Sequence, residues 1–360
     1  MRFELDAEQS MLTEQIREFA RHEIHVESET EGQESPLSSL QMLAEMGLLG
    51  ITLGEEAGGV GVDRIAFGRL LSELAYTSGS LATLVMHANV LVNEHLERFG
   101  SQAQKDEWLP AFATGERLVA WAGSARLLDT DDTSGLKATK TGEGWLLDGS
   151  VSQVLLGADA TDVLLFATDE EGRRHVFLVD GGRDGLHREV EKGVLGLRGA
   201  QPSVLHCQKL AVTVADRIGQ MESAQEEINE IFGFARIAAA ALLNGVAQAA
   251  FEASSDYAKE RQQFGKPIAA FQAIQWKVAE MAMGLEAARL LVDESAEAWE
   301  LSDSKQAAHL GNGAFNFAAD KALSTGTEAI QIHGGYGYTT EFPVERFYRD
   351  ILTLRARWER

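Results

Sequence analysis

The stretch YAKERQQFGKPIAAFQAIQ, Tyr257 to Gln275, decides how the chain reads. Upstream of it, Glu226 to Arg261 has the pattern of one long helix. Downstream, Phe271, Ile274, Val278, Met281, Leu285 and Val292 recur at the three-, four- and seven-residue spacings of a bundle helix. Gly265 and Pro267 break the two apart, since Pro has no N–H to give a helix interior. A connector needs the Gly or the Pro. It does not need Arg261, Gln263 and Gln272 set around the break.

Outward from this stretch the texture changes twice. A third helix runs from about Lys305 to Ile332 and stops at Gly334-Gly335, and Pro343 opens a short last helix. Between Val119 and Ile218 the chain shows short apolar runs (GWLLDG, DVLLFA, HVFLVD, SVLHCQKLAV) divided by the turn segments DEEG and GGRDG. These are strands. No helical pattern alternates with them, so a parallel dinucleotide-binding sheet is not expected. The first part is helical: Leu12, Ile16 and Phe19 share one face, Leu40, Leu43, Met46 and Leu48 another, and a helix is expected around Ile65 to Tyr76. The loop GEEAGGVGVD, Gly54 to Asp63, is a turn rather than a phosphate loop, because no strand–turn–helix context with a Lys follows it. The expected organisation is an all-α domain over 1–115, a β domain over 116–220 and a helical bundle over 221–360.

The 360 residues carry a net charge of −23, which disfavours phosphate backbones and anionic membranes. A local Arg can still override that field at contact distance. With one cysteine, Cys207, there is neither an internal disulfide nor a multi-cysteine metal site. The N-terminal MRFELDAEQS has acids where a signal peptide is apolar, and no run long enough to span a bilayer stands out, so a cytoplasmic location without membrane insertion is expected. His22 and His25 lack recognisable companion ligands, and no metal site is expected. Glu227 and Glu230 read as solvated acids at a helix start, and Arg346, Arg349 and Asp350 as structural ion pairs.

On residue chemistry alone, Arg261, Gln272 and Gln331 are helix-end groups that a bundle can bring together. Two roles remain open for Arg261. It is a fork for a pyrophosphate, or a solvated cation helped by the helix dipole.

YAKERQQFGKPIAAFQAIQ, QIHGGYGYTTEFPVERFYRD (Gln331 to Asp350) and GLLGITLGEEAGG together resemble the acyl-CoA dehydrogenase family, and the α–β–α order matches over nearly the whole chain. The resemblance implies an α+β fold: an N-terminal helical domain, a middle antiparallel β domain and a C-terminal four-helix bundle. It implies FAD as cofactor and α,β-dehydrogenation of an acyl-CoA thioester, with electrons passed to an electron-transfer flavoprotein. It assigns Arg261, Gln263, Phe264, Ile268, Phe271, Gln272, Gln331, Ile332, Gly334 and Gly335 to the ADP end of an FAD whose ring lies in the neighbouring subunit. Arg236 would contact substrate.

Three segments depart from the family pattern. AWAGSARLLDTDDTSG, Ala120 to Gly135, replaces the Thr-Glu-Pro and Gly-Ser-Asp stretch that lines flavin and substrate. QVLLG, Gln153 to Gly157, replaces the segment that packs on the flavin ring and hydrogen-bonds it. Trp358 stands where the catalytic Glu is expected, Ala235 where the alternative base lies, and Gly233 where an Asp often contacts substrate. Glu359 is one position off. No catalytic residue is assigned.

The chain thus resembles the degenerate subunit of a heteromeric α2β2 enzyme, a class that acts on steroid-CoA thioesters, with a base-containing homologous subunit as partner. The alternatives are a self-sufficient homotetramer with a displaced base, a flavin-free scaffold or regulatory pseudoenzyme and, more distantly, a flavin monooxygenase.

Overall fold

The computed structural model describes residues 5–24, 36–128, 135–219, 222–301 and 304–359. His25 and the acidic part of the Ala120–Gly135 segment lie outside them.

In the N-terminal part, polar side chains start the helices. Asp6 and Gln9 form a reciprocal capping box at α1 (Ala7–Glu23). Helix α2 (Leu37–Glu45) follows, then α3 (Arg64–Thr77), whose first free N–H groups are taken by Asp63. Ser78 caps α4 (Gly79–Met86), which runs into a π-helical stretch, His87–Asn93, and then α5 (Glu94–Phe99). Helix α6 (Gln102–Ala113) closes this part. The Gly54–Asp63 loop folds as a tight turn. A Cβ on Gly59 would meet the Leu53 and Gly50 carbonyl oxygens at 2.2 and 2.3 Å, so close backbone approach, not phosphate binding, accounts for its glycine.

The middle part is one eight-stranded sheet. Strands β2 (Leu136–Lys140), β3 (Gly144–Val154), β4 (Asp162–Asp169), β5 (Arg174–Asp180), β6 (Leu186–Val190), β7 (Ser203–Thr213) and β8 (Arg217–Ile218) lie in the order β6-β7-β3-β2-β4-β5-β8. The ladders are antiparallel, as expected, except along one edge of β4. There β1 (Val119–Ala122) and β2 both run parallel to it, β1 on its first half and β2 on its last.

Four helices make the C-terminal bundle: α7 (Gln225–Glu260), α8 (Gln272–Glu300), α9 (Ser304–His333) and α10 (Val344–Trp358). Helix α7 packs against the other three and against α3, so most of its length is buried. By length and composition it resembles a membrane span, yet its apolar window is 89% buried in the fold, which makes it the core helix. Its small residues permit close crossing. A Cβ on Gly233 would lie 3.0 Å from the Ala308 Cβ, so the Asp of the family pattern has no room here. One continuous apolar core runs through all three parts.

Candidate functional site

The connector between α7 and α8 is a two-residue hairpin. Gln262-Gln263 pair with Lys266-Pro267, and Phe264 and Gly265 take φ of 51° and 77°. Two successive positive φ values match a type I′ turn, whose second position suits Gly. The turn carries Phe264 out to 92% exposure. The Ile268 amide donates to the Arg261 carbonyl at 2.8 Å, which fixes where the Arg261 side chain leaves the backbone.

Beside this hairpin lies an open cleft of about 470 Å3, lined by Tyr257, Arg261, Gln263, Ile268, Ile332, His333, Gly334, Gly335, Tyr336 and Thr339. An adjoining cleft of about 480 Å3 lies across the Gly334-Gly335 turn and includes Gln331, Tyr338, Glu345, Tyr348 and Arg349. Gly334 has a φ of 61°, and no atom lies within 4 Å of a Cβ built there or on Gly335, so bare backbone faces the cleft. Tyr257 stacks on His333 at 4.3 Å and closes the floor. The structure therefore gathers Arg261, Gln263, Ile268, Ile332, Gly334 and Gly335 around one space and puts Gln331 on the far side of their turn. Phe264, Phe271 and Gln272 line neither cleft; Gln272 is exposed, and Phe271 packs edge-on to Phe264 at 6.2 Å.

Arg261 is exposed and lies over the Tyr336 ring at 5.8 Å. Among the described residues no carboxylate pairs with it. A guanidinium held at a cleft rim with no acid of its own suits an anionic ligand such as a pyrophosphate.

The region of the three departures is packed with aromatic and apolar side chains. Trp358 is fully buried and stacks on Trp121 at 5.8 Å, with His87 and Phe232 packed edgewise around the pair. Ala235 is fully buried and brings no acid. Glu359 lies on the surface in a bidentate pair with Arg355, which holds its carboxyl below the usual range. In QVLLG, Gln153 and Leu156 have positive φ and Leu155 and Leu156 are buried, so this segment turns apolar side chains inward and offers a ring no hydroxyl donor. Arg236 donates to the Trp358 carbonyl through Nε and Nη2 and to Asn312, and so anchors the end of the last helix.

Sequence matches decide the kinship. Residues 6–116 fit the model of the acyl-CoA dehydrogenase N-terminal domain, and residues 226–356 that of the C-terminal domain. The chain is 34% identical to a probable acyl-CoA dehydrogenase, YngJ, of Bacillus subtilis, over 98% of this chain and 95% of that one. It belongs to the acyl-CoA dehydrogenase family. The cofactor of this family is FAD. The caffeyl-CoA reductase-Etf complex subunit CarC of Acetobacterium woodii is 31% identical over 94% of this chain and 91% of its own. The butyryl-CoA dehydrogenase structure from Megasphaera elsdenii superposes with a TM-score of 0.91 at 28% identity, covering 99% of this chain and 96% of that one.

Against the family's cofactor the chain tests differently at its two ends. The Arg261 cleft, with an uncommitted cation, side-chain amides and bare glycine backbone, fits the ADP end of FAD. The QVLLG segment supplies neither the donor nor the stacking ring that the isoalloxazine end requires.

One sequence expectation fails here. Glu227 is not a solvated acid. It is 2% exposed, its carboxyl lies against Gly219, and Oε2 stands 3.8 Å from the His95 Nε2. Burial pushes its pKa up to about 7 and that of His95 down to about 4. Glu230 pairs with Arg98. Arg349 pairs with Glu345, and the buried Asp350 accepts the Leu197 amide at 2.7 Å and lies within the field of Arg346 and Arg349. Sequence reasoning also passed over His87, Trp121 and Arg357. The signal available for His87 was its place at the opening of an apolar run, where the helix adopts the π form that often marks functional sites.

Proposed function

We propose that this chain is the base-lacking subunit of a heteromeric FAD-dependent acyl-CoA dehydrogenase. It contributes the ADP-binding half of an interfacial FAD site to a homologous, base-containing subunit, and an electron-transfer flavoprotein reoxidises the assembly. One contrast carries this reading. The base position holds a buried, stacked Trp358, while the Arg261 cleft stays open and Arg261 has no acid partner among the described residues.

When bound, FAD would supply the acceptor for the β-hydrogen of an acyl thioester as hydride, and the α-proton would go to a carboxylate, as in the family. This chain's part is to bind and orient. Arg261 would hold the pyrophosphate with its fork, the Gly334-Gly335 backbone would admit the adenosine end, and Gln331 would hold it from the other side of the turn. Neither Trp358 nor Ala235 can hold or move a proton. The ion pair of Glu359 with Arg355 disfavours the self-sufficient enzyme with a displaced base, because that carboxylate is already committed at the surface.

The test is flavin content. Purified alone, the chain carries little FAD; co-expressed with a complementary family member, the pair carries about one FAD per two chains, read from absorbance near 450 nm against protein mass. Stoichiometric FAD on the chain alone overturns the half-site reading.

A further inference from the structure

Arg357 is a half-buried cation with an unusual environment. Its Nη1 donates to the Gln153 carbonyl at 2.8 Å, but Nε and Nη2 are shut away from solvent and no acceptor among the described residues reaches them. Those two nitrogens form the edge of a guanidinium that takes a carboxylate side-on. In two other arginines of this molecule that edge is filled. Arg69 grips Asp293 with Nε and Nη2 at 2.9 and 2.6 Å, and Arg17 grips Glu73 with both at 2.7 Å.

Two further polar groups meet the same indole, that of Trp121, as the guanidinium. Among the described residues the Trp358 Nε1 is buried without a partner, and so is the Nε2 of His87, which is 2% exposed. All three side chains meet Trp121: the Arg357 guanidinium lies 5.9 Å from its ring, His87 5.7 Å and Trp358 5.8 Å. Burial and the neighbouring Arg357 keep the His87 imidazole neutral, so it adds a polar contact without adding charge. Among the described residues no carboxylate pairs with the guanidinium. An unpaired buried charge is costly enough that such groups are ordinarily matched by an opposite charge. Next to the position where the family pattern puts an acid, this chain presents a cation with no carboxylate partner among the described residues.

We propose that Arg357, beside His87 and Trp358, binds a carboxylate, and that this is the distal carboxylate of an acyl chain presented as its CoA thioester. The thioester part rests on the function proposed above; the carboxylate site does not. A carboxylate is the anion of choice because its two oxygens match the free Nε–Nη2 edge, as Asp293 matches that of Arg69.

The test compares adipoyl-CoA, hexanoyl-CoA and free adipate, binding to the full chain and to the chain co-expressed with its complementary subunit. Affinity is read by calorimetry and by quenching of tryptophan fluorescence. Adipoyl-CoA is expected to bind at least 10-fold more tightly than hexanoyl-CoA. Arg357→Met removes that preference while hexanoyl-CoA affinity stays within about 2-fold, and Arg357→Lys, which keeps the charge but lacks the fork, recovers part of it. Should the Met variant fail to fold, the Lys variant decides, since a thermal melt shows whether it is folded. Adipate binding through Arg357 with neither thioester bound keeps the carboxylate site and rejects the acyl-CoA reading. Equal affinity for both thioesters with no adipate binding overturns the site, as does a structure of the assembly that seats a partner carboxylate on Arg357.

Discussion

Trp358 lies 5.8 Å from Trp121, with the two indole planes inclined by 24°. The pair ties the end of the last helix to the first strand of the sheet, and the main-chain carbonyl of Trp358 is held from the bundle by Arg236. A residue placed like this serves packing across three parts of the chain. It also fills a position that in the family pattern belongs to a base.

Trp358→Ala should therefore act on stability first. It empties a fully buried site among Trp121, Phe232 and His87. Removal of a buried indole typically costs about 3–5 kcal/mol. Denaturant unfolding should show a loss of that size, with Trp358→Phe losing clearly less. A change below about 1 kcal/mol for the Ala variant would contradict the packing role.

Glu227 supplies a pH prediction. Its folded-state pKa, raised to about 7 by burial, exceeds its usual value of 4.5. The folded chain thus holds a proton that the unfolded chain releases between about pH 4.5 and 7, so stability falls as pH rises through that window and then levels. Glu227→Gln keeps the shape and removes the titration. It should flatten this limb and raise stability at pH 8 by on the order of 1–2 kcal/mol. Buried His95 is lowered to about 4 and works on the acid side: its contribution is lost as pH falls from 6.5 toward 4, and Glu227→Gln should leave that loss in place. Melting temperatures across pH 4 to 8 check both limbs, and an unchanged slope above pH 4.5 in the variant would refute the assignment.

Cys207 should be nearly inert. It is 3% exposed, and burial beside Asp148 pushes its thiol up to about 12. Only about one thiol in ten thousand would be ionised at pH 8, and the thiolate is the nucleophile. Disulfide-exchange reagents should modify the folded protein over hours and the denatured protein within minutes. Rapid stoichiometric labelling of the native chain would show the site to be open.

Much of this architecture was legible in the sequence because its signals are local. Phe271, Ile274 and Val278 announce a bundle helix, Gly265 and Pro267 its boundary, and Gly334-Gly335 the end of the next. The parallel joins of β1 and β2 to β4 were not legible, since which strands neighbour one another depends on how distant segments close. Burial of charge was equally hidden. QEEINE around Glu227 looks like a solvated helix start, and only the fold shows β8 and Gly219 pressed against it. RARWER looks like a charged tail, yet Arg357 and Trp358 turn inward because the amphipathic last helix packs on α7 and delivers them to Trp121.

Arg261→Ala tests the cleft itself. The side chain is exposed, borders an open cleft and has no acid partner among the described residues, so its removal should leave folding almost untouched. If its guanidinium holds the pyrophosphate of a flavin shared with the partner subunit, truncation removes a charge-assisted interfacial pair, which typically costs roughly 2–5 kcal/mol. That corresponds to about a 30-fold to several-thousand-fold weaker hold on FAD. Arg261→Lys should recover only part, because an ammonium keeps the charge but not the planar fork. A helix-end cation working only through the dipole predicts the reverse pattern, about 0.3–1 kcal/mol of stability and no effect on flavin. FAD release followed by fluorescence from the assembled protein, beside its thermal melt, separates the two. An Ala variant that melts earlier but retains FAD as tightly as its parent would remove the cofactor role from this stretch of the chain.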